Sequence, residues 1–166
     1  MGSVFQNPRT QHFTLNTTDE IVLPCENIGL DQASIQKRFD WVVDLMGIDN
    51  LLDRPIFDLS GGEKQLIALA STLILHPQVL ILDEVSSNLD QAAIDRIKGI
   101  VGTLQSQGMT LLIIDHRLEW TRNLADYYLK LAGGRVEKVW DHEAFQAMSE
   151  DDLAQIGLRT NKPILT

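Results

Sequence analysis

Four short stretches carry side chains suited to chemistry: LSGGEKQ at 59–65, Asp83-Glu84, Asp115-His116 and Gln6. In the first, Ser60 and Glu63 stand in the S-x-x-E relation of a capping box, so a helix starts there. Capping does not account for Gly61 and Gly62, because each glycine costs about 1 kcal/mol relative to alanine inside a helix. Glycine suits a backbone that another group approaches closely, and bare N–H groups at a helix start attract anions. A plain cap and a phosphate contact both stay open on these local grounds. Asp83 and Glu84 follow four aliphatic residues directly, and two adjacent acids repel unless a cation or separate duties divide them. Asp83 fits a direct or outer-shell Mg²⁺ partner, and Glu84 a base that orients or activates water; the plainer alternative is a turn or cap residue. His116 by itself reads as an ordinary surface or core histidine and gains catalytic meaning beside the other clusters. Gln6 by itself reads as a turn amide. His12, His76, His142 and the single cysteine, Cys25, fall at no metal-ligand spacing.

The elements that must hold these groups follow from periodicity. Leu66, Leu69, Ala70, Leu73 and Ile74 recur at three- and four-residue spacing, predicting a helix over 61–75 that His76-Pro77 stops. Thr17 and Glu20 form a second capping-box pattern, opening a short helix that Pro24 kinks or ends. Asp31 caps another, with Ile35, Phe39, Val42, Val43 and Met46 inward and Gly47 past its end. VLIL (79–82) and TLLII (110–114) read as buried strands, joined by a helix that Asp90 caps, Ile94, Ile97, Val101 and Leu104 stripe, and Gly108 closes. Strand, helix, strand at this spacing is a βαβ unit, so the sheet is parallel. DYYLKLA and RVEKVW flank Gly133-Gly134, a hairpin expected at the sheet edge, and one or two short helices follow Asp141. Gln6 follows the short strand SVF, so three polar clusters fall beyond the carboxyl ends of three strands, the side where parallel α/β sheets bind ligands.

With 166 residues the chain suffices for one core. Its formal charge of −9 argues against non-specific binding to nucleic acid or to an anionic membrane surface. One cysteine forms no internal disulfide, and no apolar run is long enough to span a bilayer. Met1-Gly2-Ser3 reads as an artificial start or an expression scar and carries no weight for function.

Together these residues resemble the ATP-binding cassette (ABC) ATPases. LSGGEKQ looks like their signature motif, VLILDE their Walker B strand and SNLD (87–90) their D-loop. His116 in IIDHR is similar to their switch histidine, and Gln6 in VFQNP to their Q-loop glutamine. The resemblance spans about residues 3–140 with motifs in family order, and VFQNP, TTDEI and ENIGL look most like the energy-coupling-factor branch, which powers uptake of vitamins and metal ions. It implies a P-loop NTPase-like α/β fold: a mostly parallel sheet with a helical subdomain insertion, truncated at the N-terminus. The implied divisions are a Q-loop segment at 1–16, a helical signature subdomain at 17–76, a RecA-like portion with its hairpin at 77–140, and C-terminal helices and tail at 141–166. It further implies ATP and Mg²⁺ as cofactors, with Asp83 and Gln6 toward the metal and Glu84 and His116 catalytic. Ser60, Gly61, Gly62 and Glu63 would meet the nucleotide held by a second ABC ATPase subunit, identical or not, and Asp90 would communicate across that dimer. The 17–50 region would couple to transmembrane permease subunits, placing the protein peripherally on the cytoplasmic face of the membrane. Val85-Ser86 departs from the proline and threonine or serine usual after the glutamate, altering loop stiffness more than chemistry.

No G-x-x-x-x-G-K-[ST] occurs in these 166 residues. The family places that loop upstream of the Q-loop, so the expectation is a piece of a longer protein that alone neither binds ATP tightly nor hydrolyses it. Two other readings compete. One is the C-terminal ATPase lobe of chromosome-maintenance proteins, disfavoured by the nearness of Gln6 to the signature and by the acidic charge. The other is a regulatory module that kept the fold and lost catalysis, which Glu84 and His116 oppose.

Overall fold

The computed structural model describes residues 1–4, 13–87 and 89–158. The chain forms two compact units, residues 1–115 and 116–166. The first holds a parallel sheet of β1 (Gly2–Val4), β2 (Val79–Asp83) and β3 (Thr110–Ile114), in that order. Gly2, Ser3 and Val4 pair with Leu80, Ile81 and Leu82, so the strand expected at SVF is built into the sheet and begins at Gly2. Gly2 is required there: a Cβ would fall 2.5 Å from Cγ2 of Thr72. Helix α4 (Gln91–Ser106) links β2 to β3 with Asp90 as its cap and Ile94, Ile97, Ile100, Val101 and Leu104 buried, which is the expected crossover. Burial alternates along β2, and β3 is more open still, with Leu112 and Ile114 more than two-fifths exposed. The expectation of two fully buried strands thus fails for β3, because β3 ends the sheet order and carries a partner on one side only among the described residues.

Three helices precede β2. Helix α1 (Thr17–Asn27) is capped by Asn16, whose side chain accepts from the Thr18 amide at 2.8 Å. The Thr17–Glu20 capping box does not form. Thr17 is already helical and donates its hydroxyl to the Leu51 carbonyl, while the buried Glu20 accepts from the Phe13 and Thr14 amides at 2.9 and 2.8 Å. Pro24 also fails to end the helix, which runs three residues further to Asn27 with Ile21 and Cys25 fully buried. Burial of that face outweighs the one amide bond a proline omits. Helix α2 (Gln32–Met46) has its expected Asp31 cap and its left-handed Gly47 terminus, φ +59°. Helix α3 (Gly61–Leu73) buries Leu66, Leu69, Ala70 and Leu73 as the spacing predicted, and Ile74 follows as its cap.

Past α3 the chain turns at His76, whose φ is +51° and whose ring lies 4.2 Å from that of Trp41 at 31°. Partial burial, and secondarily the Arg38 charge, push the His76 pKa below its ordinary 6.5. The folded chain therefore takes up this proton less readily than the unfolded one. Stability is full above pH 6.5 and declines as pH falls through that value toward the folded pKa. Trp41 emission reports the event: its quenching by the imidazolium is expected with a midpoint below 6.5 and to be absent in His76→Gln. A midpoint at or above 6.5 would contradict the assigned environment.

The second unit contains a short helix α5 (Leu118–Thr121), the hairpin β4 (Tyr127–Ala132) and β5 (Arg135–Asp141), and helices α6 (His142–Gln146) and α7 (Glu150–Gln155). Gly133 and Gly134 turn the hairpin at φ +57° and +73°, the paired left-handed residues that a two-residue turn requires. Tyr128, Trp140, Phe145 and Leu153 form its core, with Tyr128 and Phe145 stacked 3.7 Å apart. Among the described residues β4 and β5 pair with each other alone, so the hairpin is a sheet of its own and not the edge of the parallel one. No helix among the described residues is long and apolar enough to cross a membrane.

Candidate functional site

The register sets strand tips side by side. Val4 lies against Leu82, and Asp83 against Ile114, so three parallel strands end at one rim of the first unit. Asp83 is the last residue of β2. Glu84 continues the ladder by one bond, its amide donating to the Ile114 carbonyl at 2.7 Å, then leaves it with φ +49°. A left-handed backbone at a residue other than glycine costs about 1–3 kcal/mol and clusters at functional sites. The Glu84 carbonyl accepts from the amide and hydroxyl of Ser87 at 3.2 and 2.9 Å, and the Leu89 amide donates to Ser86 at 3.2 Å. Residues 84–87 therefore form a tight turn, and Leu89, bonded back to it, leads into the Asp90 cap. Asp90 accepts from the Ala93 amide at 2.8 Å, which satisfies one first-turn donor of α4.

At the start of α3 the capping box is fully formed. The Ser60 amide donates to Glu63 Oε2 at 2.7 Å, and the Glu63 amide to the Ser60 hydroxyl at 3.3 Å. Arg54 adds an ion pair to Glu63 at 3.2 Å. The Ser60 donors first, then Arg54, hold the Glu63 carboxyl below the usual range. The remaining first-turn amides of Gly61 and Gly62 have no acceptor within the helix, as at any helix start. Gly61 is exposed and Gly62 half-buried.

Of the candidate residues, Ser60, Gly61, Gly62, Glu63, Asp83, Glu84 and Asp90 all belong to the first unit. His116 opens the second unit, directly after Asp115 in the chain. Gln6 and His12 lie outside the described residues, and so does Asn88 of the SNLD stretch. Among the described residues no three His, Cys, Asp or Glu side chains gather as a metal cage. One carboxylate at a strand tip suits Mg²⁺ instead, which keeps waters and takes one or two carboxylates together with phosphate oxygens. The α3 cap suits a phosphate, while no loop of these 166 residues has the P-loop pattern that cradles one.

Sequence reasoning passed over Gln65 and Ser86. Gln65 is 3% exposed in a slot lined by Val4, Leu69, Leu82, Val85 and Ile97, so it joins α3 to the ends of β1 and β2. Its place one helical turn before Leu69, on the inner stripe, was the available signal. Ser86 is 2% exposed and its hydroxyl has no hydrogen-bond partner among the described residues, which no sequence pattern announces.

Comparison with known proteins bears on this arrangement. The family profile described as ABC transporter matches residues 1–87. A Treponema denticola protein described as ABC transporter ATP-binding is 40% identical over 158 residues, covering 95% of this chain and 32% of that protein. The energy-coupling factor transporter ATP-binding protein EcfA of Methanoculleus marisnigri is 37% identical over 137 residues, covering 82% of this chain and 50% of its own length. The solved CbiO1 of Clostridium perfringens, described as part of the ABC transporter complex CbiONQ, superposes with a TM-score of 0.80 at 30% identity, covering 93% of this chain and 61% of that one. The chain thus spans about a third to a half of the length of the curated relatives it matches.

Proposed function

Because the chain belongs to the ABC transporter family, we propose that it works within an ATP-hydrolysing subunit of an energy-coupling-factor-type importer for a vitamin or metal ion. The observation that carries the reading is Glu84. A carboxylate is kept on a left-handed backbone, one residue past a strand tip that ends in a second carboxylate. The likeness to EcfA and CbiO1 supports the energy-coupling branch.

In this reading Mg²⁺-bound ATP supplies a γ-phosphoryl group whose negative charge is already partly neutralised. Asp83, with Gln6, would hold the metal ion and its waters, which would offset charge on the phosphate oxygens. Glu84 accepts a hydrogen bond from the attacking water and polarises it, and His116 contacts the γ-phosphate. Ser60, Gly61 and Gly62 present hydroxyl and amide donors to the phosphate of a second ATPase subunit, with the helix dipole of α3 behind them. Glu63 keeps that cap in shape through Ser60 and Arg54. Asp90 holds the first turn of α4 at the same dimer face. Phosphate release from Mg-ATP by the complete polypeptide tests the reading; a protein that releases none overturns it.

The partner in the membrane has a candidate landing surface at residues that flank in sequence the 17–50 region expected to couple to it. Phe13, Leu15 and Phe57 are 81%, 73% and 75% exposed. Their segments are held firmly, since Glu20 accepts three bonds from Phe13 and Thr14, and the Ile56 amide donates to the Leu15 carbonyl at 2.9 Å. Large apolar side chains exposed on a rigid frame are typical anchors of a protein interface. The triple change Phe13→Ser, Leu15→Ser, Phe57→Ser is expected to lower co-purification with the permease by at least about tenfold while phosphate release in its absence persists. Unaltered co-purification removes this surface from the coupling face.

A further inference from the structure

The glycine cap of α3 does not stand free of the turn that carries Glu84. A Cβ on Gly62 would sit 3.2 Å from the Cβ of Ala93 and 3.7 Å from Cδ2 of Leu89. The first distance is tighter than an ordinary carbon–carbon contact, so a methyl on Gly62 would push the first turn of α4 away from α3 by a few tenths of an ångström. Ala93 is fixed by its amide bond to Asp90 at 2.8 Å. Leu89 is 8% exposed and bonded back to Ser86 at 3.2 Å, and Ser87 is bonded back to Glu84 at both of its donors. One packed contact and a run of local hydrogen bonds, Ala93 to the Asp90 carboxylate, Leu89 to Ser86 and Ser87 to Glu84, therefore connect Gly62 to Glu84.

The turn between them carries two local costs. Glu84 has φ +49°, and the buried hydroxyl of Ser86 has no hydrogen-bond partner among the described residues. A buried polar group left unpaired costs on the scale of a lost hydrogen bond.

We propose that Gly62 and Ala93 are positioning residues for Glu84. Engagement of the α3 cap by the partner's phosphate presses through the Gly62–Ala93 contact and sets the 84–87 turn. The proposal rests on the transporter-ATPase reading and adds a second duty to Gly62, distinct from its amide facing a phosphate.

Compensating substitutions separate the two duties. Gly62→Ala in the complete polypeptide is expected to lower kcat roughly tenfold, with KM for Mg-ATP moving by less than about threefold. Adding Ala93→Gly removes the opposing methyl and is expected to restore most of kcat. A double variant as slow as Gly62→Ala alone overturns the proposal and leaves only the phosphate-facing role. Thermal melting of the 166-residue chain checks the contact itself. Alanine is the better helix former, so propensity alone would raise the melting temperature of Gly62→Ala, whereas the contact lowers it and Ala93→Gly recovers it. Strictly additive effects of the two changes on melting overturn the contact. A wild-type protein without phosphate release fails the transporter-ATPase reading first, and is told apart because the melting cycle still reports the Gly62–Ala93 coupling.

Discussion

If Glu84 polarises the attacking water, as proposed, replacing it with glutamine is expected to lower phosphate release by at least about a hundredfold and to leave ATP-driven pairing of the ATPase subunits intact. Removal of a positioned base typically costs 10²–10⁴ in rate. Glutamine keeps the shape, the backbone demand at φ +49° and the amide bond to Ile114, and loses only the charge that polarises water. The α3 cap and Asp83 are untouched, so nucleotide still joins the two subunits. Steady-state phosphate release and sedimentation with Mg-ATP measure the two quantities separately. Turnover at the wild-type level would show that another group polarises the water. Loss of pairing together with turnover would show that Glu84 acts in assembly.

The second large effect concerns binding. The 166-residue chain by itself is expected to bind Mg-ATP with a Kd no tighter than about 1 mM, equivalent to about −4 kcal/mol, and to release no phosphate. The donors that the chain does present are a helix cap, worth a fraction of a full phosphate site, and one strand-tip carboxylate for the metal. The lysine and the glycine-rich loop that wrap the β- and γ-phosphates occur nowhere in its sequence. Calorimetric titration gives the number directly. A micromolar Kd would require a second cradle and would displace Ser60, Gly61 and Gly62 from their assigned duty.

Much of the framework was legible because its signals are local. Asp31 and Gly47 bracket α2, Ser60 and Glu63 box the start of α3, and Gly133-Gly134 turn the hairpin where the residues announce it. The parallel pairing of β2 and β3 followed from two aliphatic runs one helix apart. The misreadings share a cause, which is competition for the same groups from residues that the local pattern leaves out. Glu20 met the pattern of a capping box, yet the amides of Phe13 and Thr14 claimed its carboxylate, and Asn16 took over the cap. Pro24 met the pattern of a helix stop, yet burial of Ile21 and Cys25 carried the helix past it. Exposure of β3 depends on which strands lie beside it, and no residue within TLLII encodes that. For the site, residue types flagged Glu84, Gly61 and Gly62, whereas the left-handed turn at Glu84, the buried Ser86 hydroxyl and the Ala93 methyl facing Gly62 are properties of the assembled backbone.

The conformation of residue 84 sets two kinds of selection against each other. Glycine or asparagine would relax the torsion that glutamate endures there, so a laboratory screen for heat resistance draws this position away from the carboxylate. A screen for turnover draws it back. Durability and work are thus traded against each other at a single amino acid, and lineages that no longer need to burn nucleotide would be the ones free to abandon it.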